Sequence, residues 1–170
     1  MKRFLSAVAI LGAVVLAARA AEAQSASITA TATVLQPLSV TGAANLNFGN
    51  VFPGTNVSVA PTAAGAGRFE LNGVAGAEVQ FSLTLPSTLT SGGSNSIPIT
   101  FSSTDGRYNT TADPNTGATT FNPNAPVTTT LHGTTGDLFV YLGGTVSPSG
   151  TTPAGTYTGT ITLNASYTGN

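Results

Sequence analysis

From Tyr157 to Thr168 the chain alternates without an exception. Tyr157, Gly159, Ile161, Leu163, Ala165 and Tyr167 hold the odd positions; Thr158, Thr160, Thr162, Asn164, Ser166 and Thr168 hold the even ones. A period of two belongs to a β-strand, whose successive side chains point to opposite faces. The apolar face of such a strand must be covered, because an exposed apolar edge invites association. A similar run, SASITATATV (residues 25–34), sets Ala26, Ile28, Ala30, Ala32 and Val34 on one side.

The residues ahead of that second run read as a leader. Lys2 and Arg3 open the chain, residues 4–18 are uncharged and apolar, and Ala21 and Ala23 place small residues where a signal peptidase reads. This is the three-part pattern of a cleaved secretory signal. The apolar run is shorter than the about 20 residues that a bilayer span needs. Residues 1–23 are therefore expected to be removed on export to the periplasm and then the cell surface or exterior. No membrane anchor is expected after cleavage.

Between the two runs, period-two stretches alternate with Gly, Pro, Asn and Ser clusters, the pattern of an all-β sandwich or barrel. PLSVTG, NLNFGNV, NVSVA, GRFELNG, AEVQFSLTLP, SIPITFS, PVTTTLHG and DLFVYLGGTV are candidate strands. AEVQFSLTLP is the clearest, with Ala77, Val79, Phe81, Leu83 and Leu85 on one side. DLFVYLGGTV is apolar on both faces, as a central strand should be. Pro98 inside SIPITFS argues for an edge strand or a bulge. The stretch from Ser102 to Pro126 is long and weakly apolar, and reads as a surface hairpin anchored by Tyr108 and Phe121. The count of strands suits a single Greek-key sandwich over residues 37–170, with residues 24–36 as an N-terminal extension.

Charge narrows the possible partners. After residue 23 the basic side chains are Arg68 and Arg107 and the acidic ones number five, a formal charge of −3 with no lysine. Nucleic-acid binding needs a basic footprint that is missing here. The polar surface falls instead to 29 threonines in that span, a residue type suited to the solvent face of a sheet. There is no cysteine, so an exported chain must hold itself together by burial and backbone pairing.

Little in the sequence supports catalysis. His132 is the only histidine, which rules out a histidine-built metal cluster. Without cysteine or any lysine after the leader, nucleophiles reduce to hydroxyls and carboxylates. No Gly-x-Ser-x-Gly or phosphate-binding Gly-rich stretch occurs. Glu70 and Glu78 flank the NGVAG turn and read as solvated carboxylates. DPNTG (residues 113–117) offers one carboxylate where calcium wants six to eight oxygens, and reads as an Asx turn. No enzyme activity, metal or cofactor is expected.

The two ends suggest a different role. A first strand can pair within its own sandwich, or leave it and fill a groove beside the last strand of a second copy. Backbone bonds then give affinity and alternate side chains fill pockets. Such a contact is head-to-tail and does not close, so filaments follow. Burial of Ile28 and Val34 would contribute roughly 1.5–3 kcal/mol each.

VLQPLSVTGAANLNFGNVFPGTNVSV and the closing PAGTYTGTITLNASY resemble a family of secreted bacterial domains of unknown function. Its marks are an early Leu-x-Phe-Gly signature, here Leu46, Phe48 and Gly49, and a Gly-x-Tyr-x-Gly with an alternating strand at the end. That family is similar to the spore-coat-U-like and chaperone–usher pilin domains, which are incomplete immunoglobulin-like sandwiches. The resemblance implies that Ile28, Ala30, Ala32 and Val34 form a donor strand. It also implies that Tyr157, Ile161, Leu163 and Tyr167 form the strand met by a neighbour or a periplasmic chaperone, with an outer-membrane usher as a further partner. The function implied is a structural subunit of a surface fibre, assembled by donor-strand exchange. The alternative is a monomeric exported binding module, for glycans or surface adhesion, with Tyr108 and Phe121 as its site.

Overall fold

Among the described residues the strand-forming pattern resolves into twelve short β-strands, all joined by antiparallel pairing. The structure is a computed structural model that describes residues 24–34, 36–93 and 95–169. The expected leader, residues 1–23, lies outside the described residues. The chain divides into two units, Met1–Thr33 and Val34–Asn170. In the first, the described residues 24–33 form no strand and every one is exposed. Among the described residues, the run SASITATATV, expected as a strand, forms none. Ile28 and Val34 are each 96% exposed.

The second unit carries the strands. They are β1 (Ser39–Ala44), β2 (Val57–Val59), β3 (Gly67–Asn72), β4 (Glu78–Thr84), β5 (Thr88–Ser91) and β6 (Asn95–Thr100). Then come β7 (Gly106–Asn109), β8 (Thr119–Phe121), β9 (Val127–Thr130), β10 (Asp137–Leu142), β11 (Gly144–Val146) and β12 (Thr162–Tyr167). Three sheets result, in the orders β1-β3-β10-β7-β8, β2-β11-β6-β5 and β12-β4-β9. This is the all-β, sandwich-type class that the alternation and turn residues imply.

Two apolar cores hold the fold together. The larger joins Leu71, Leu138, Val140 and Phe121 of the five-stranded sheet to Val79, Phe81 and Leu163 of the three-stranded sheet, with Leu131 beside them. Odd residues of β4 and β12 face inward together, since Leu163 opposes Leu83 and Ala165 opposes Phe81 in the register. The smaller core is Ile97, Ile99 and Val146, with Leu46, Phe48, Leu89 and Tyr157 packed against it.

Four expectations need correction. DLFVYLGGTV is not one strand but β10 and β11 in different sheets. The break is Gly143, where a Cβ would collide with the carbonyl oxygen of Val59. NLNFGNV is not a strand either. Asn47 Oδ1 accepts from the Gly49 N–H at 2.8 Å, and Gly49 has φ 67°, so an Asx turn ends any ladder at that point. Pro98 lies on β6, which is flanked by β5 and β11 rather than at an edge. Its carbonyl accepts from the N–H of Ser147, just beyond the end of β11. Its missing N–H therefore falls where the β11 ladder has already stopped. The tail, finally, is not one strand from Tyr157. Thr158 exchanges backbone bonds with Thr90 at 2.8 and 2.9 Å, and the ladder to β4 begins only at Thr162. The tail thus follows β5 and then β4, and switches sheet in between.

Candidate functional site

β1 pairs only with β3, and β12 pairs only with β4. Among the described residues the opposite edge of each is unpaired. The two strands come together at one end and part at the other, with a groove beyond the point where they part.

The joined end is built on Tyr167. Its hydroxyl donates to the carbonyl oxygen of Gln36 at 2.9 Å and accepts from the N–H of Val74 at 2.8 Å. Only glycine fits at 73, because a Cβ there would collide with that hydroxyl. The Gln36 amide donates to Asn72 Oδ1 at 3.0 Å, and Leu38 packs on the main core beside Tyr167. These contacts hold the root of β1 against the ends of β12 and β3.

Beyond this clip the walls separate. In the register, Val40 opposes Leu71 and Gly42 opposes Phe69. Directly opposed residues share a face, so Val40 and Gly42 point the same way as the core. Yet Leu71 is 1% exposed and Val40 is 39% exposed. The inner face of β1 lacks a cover.

The groove has a volume of about 860 Å³. Leu89, Ile97, Ile99 and Val146 form its floor, Leu46 and Phe48 one wall, and Tyr157 and Ile161 the other. No residue lining it carries a formal charge. Residues 24–34 are likewise uncharged. The tail wall is held in place from behind. A Cβ on Gly159 would lie 2.7 Å from Leu89, and the Tyr157 hydroxyl donates to the carbonyl oxygen of Pro153 at 2.9 Å.

The residues singled out in the sequence divide as follows. Leu46 and Phe48 of the signature line the groove together with Tyr157 and Ile161, and Gly49 closes the Asx turn with Asn47 that follows β1. Leu163, expected on the pairing strand, is buried in the main core, while Tyr167 forms the clip. Ile28, Ala30, Ala32 and Val34 lie in the exposed extension. Sequence reading missed the floor residues as one site, and Val40 as the exposed residue on the β1 face that leads into it. Val40 shares a face with Leu38, which was the available signal.

Other sequence candidates fall elsewhere. Phe121 is 7% exposed and meets Phe81 edge-to-face at 5.3 Å, with Tyr108 at 6.0 Å from each ring. Such edge-on pairing is what aromatic cores favour. The β7–β8 hairpin is thus present but anchored in the core, and Phe121 offers no free ring face for a sugar. Glu70 pairs with Arg68 at 2.8 Å, while Glu78 accepts from the Thr168 hydroxyl at 2.7 Å. These carboxylates have separate local partners. Asp113 accepts from the Asn115 N–H at 2.7 Å, an Asx turn; that bond holds its carboxyl below the ordinary value of 3.8. Among the described residues no group of three or more His, Cys, Asp or Glu side chains converges as metal ligands do.

The chain belongs to the family described as Domain of unknown function (DUF4402), whose pattern matches residues 26–167. The match begins inside the exposed extension and ends on Tyr167. No curated protein matches the chain.

Proposed function

We propose that this member of the family is an exported structural subunit of a bacterial surface fibre, in which residues 24–34 of one copy fill the groove of the next. One observation carries the reading. The large hydrophobic side chains left exposed among the described residues are Ile28, Val34, Val40 and Phe52. Two lie on the extension, Val40 lies on the same face of β1 as the groove-lining Gly42, and Phe52 lies between the groove-lining Val51 and Pro53. An isolated exposed apolar residue needs no explanation, but a set confined to one site does.

Size and chemistry agree. Ile28 to Val34 spans about 20 Å when extended, the length of an ordinary strand. An uncharged strand of alternating Ala, Ile, Val and Thr suits an uncharged apolar groove. Its backbone would supply partners for the open edges of β1 and the tail. Each copy gives a strand and takes one, so the assembly is a head-to-tail filament.

The resemblance to spore-coat-U-like and pilin domains supplies the rest of the reading. The sandwich is then an incomplete immunoglobulin-like one, a periplasmic chaperone covers the groove before assembly, and an outer-membrane usher exports the polymer. The leader-like residues 1–23 fit this route.

A synthetic peptide of residues 24–34, added to a chain beginning at Gln36, tests the reading. Starting at Gln36 keeps the clip intact. At about a hundred times its dissociation constant the peptide should stabilise the domain by about 2.7 kcal/mol, a rise in Tm of about 3–8 °C. A domain with the same Tm at every peptide concentration contradicts the proposal.

A further inference from the structure

The groove has one closed end and one open end, and that asymmetry bears on where two neighbouring copies touch. At the closed end the backbone is occupied by Tyr167, Gln36 and Leu38. A strand filling the groove has no way out there. The part of the chain that ties it to its own domain must emerge at the other end, past Val51, Pro53, Pro148 and Pro153.

The connection is very short. Val34 is the last residue of the alternating apolar face of the extension, and only Leu35 separates it from Gln36, which is already fixed to its own domain by Tyr167 and Asn72. Two residue steps cover at most about 7 Å. With Val34 seated in one copy, the domain that donates it is pressed against the mouth of that copy's groove. Residues at the mouth are then buried between two domains by geometry, without any freedom to avoid it.

Phe52 lies between Val51 and Pro53, which line the groove at this end, and is itself 74% exposed. It is held there by a rigid turn. The N–H of Thr55 donates to the Phe52 carbonyl at 3.1 Å, and the Gly54 N–H reaches the carbonyls of Pro148 and Ser149, both at 3.1 Å. Pro53 followed by Gly54 at φ 77° is the residue pair a type II turn requires. A preorganised aromatic of this kind loses little entropy on being covered, and aromatic anchors dominate binding energy at interfaces.

We infer that the Phe52–Pro53 turn is a second docking surface for another copy of this chain, separate from the groove. It receives the root of the donating domain, around Gln36 and the 73–77 turn. This inference rests on the strand-filling reading above. It adds a contact between domains that the extension itself does not make.

The test uses the chain from Gln24 to its end, with assembly followed by light scattering. Phe52→Ser should slow elongation about tenfold. The free peptide of residues 24–34 should block native and Phe52→Ser assembly at equal concentrations, since the groove itself is unchanged. Inserting six Gly/Ser residues between Val34 and Leu35 separates the domains, and in that background Phe52→Ser should add less than about a twofold effect. Elongation of Phe52→Ser at the native rate overturns the inference while leaving the groove reading in place. So does an altered peptide potency, which would put Phe52 against the extension instead. A persistent tenfold effect in the lengthened chain also overturns it. If the native chain forms no assemblies that the peptide blocks, both readings fall together.

Discussion

The hydroxyl of Tyr167 donates to the carbonyl oxygen of Gln36 at 2.9 Å, across 131 residues of sequence. One bond therefore joins the end of the last strand to the root of the first. It sets the narrow end of the groove and fixes the point from which the extension leaves its domain. Tyr167 thus acts as a tie rather than as part of the groove wall.

Replacing Tyr167 with Phe keeps the ring against the core and removes the hydroxyl. The Gln36 carbonyl and the Val74 N–H each lose a partner, and the second is partly buried. Unmet buried groups of this kind cost about 1–3 kcal/mol. Urea unfolding of Tyr167→Phe should show a loss in that range with an unchanged m-value. A loss below about 0.3 kcal/mol would mean that water replaces both bonds freely and that the tie is weak.

Val40 and Leu71 face each other on β1 and β3, yet they should respond differently to substitution. Val40→Ser places a hydroxyl on an already exposed face, so domain stability should change by about 0.5 kcal/mol or less. Peptide binding should weaken several-fold, because the uncovered face of β1 that leads into the groove loses an apolar side chain. Leu71→Ala should instead cost about 2–5 kcal/mol. Calorimetric titration of the peptide into Val40→Ser is the check.

Phe121 belongs to the core rather than to a sugar-binding surface. Phe121→Ala leaves a void beside Phe81 and Tyr108, and should cost about 3–5 kcal/mol. Thermal unfolding measures this directly. A variant of native stability would put the ring outside the core.

Asp137 links stability to pH. The Thr135 hydroxyl first, then the Asn72 amide, stabilise its ionised form and hold its carboxyl below the ordinary value of 3.8; the amide nitrogen lies 2.7 Å from Oδ1. The unfolded carboxyl therefore binds a proton at higher pH than the folded one. Its contribution is complete above the ordinary carboxylate value and disappears as pH falls through the folded one. Tm should be level from about pH 7 to pH 5 and fall below about pH 4. Asp137→Asn should flatten part of that fall, with Asp113 supplying some of the remainder. An unchanged acid slope in Asp137→Asn would show that these bonds do not distinguish the two protonation states.

Much of the fold was legible where one face of a strand is buried. The odd residues of β4 and β12 could be paired from alternation alone, since a one-residue slip would bury Gln80 and Asn164 instead. Gly143 was not legible as a break. What forces it is the nearness of Val59, a contact between segments far apart in sequence. β5 was hidden because Thr88–Ser91 carries a single large apolar residue, Leu89, next to the SGGSN turn. Leu46 and Phe48 were recognised as a signature, but their alternation misled. They pack on Ile97 and Val146 from an irregular segment, as the Asx turn at Asn47 interrupts pairing. The groove left the fewest traces of all. An open face on Val40 is defined by the strand that is not beside it, which no local pattern records.

Strand donation between copies can be measured most directly by sedimentation of the chain from Gln24, with and without residues 24–34. The account predicts concentration-dependent oligomers that lengthen as protein is added, and a folded monomer once those eleven residues are removed. A full chain that sediments as a monomer at every concentration, with Ile28 and Val34 shielded from solvent within the same molecule, would contradict it.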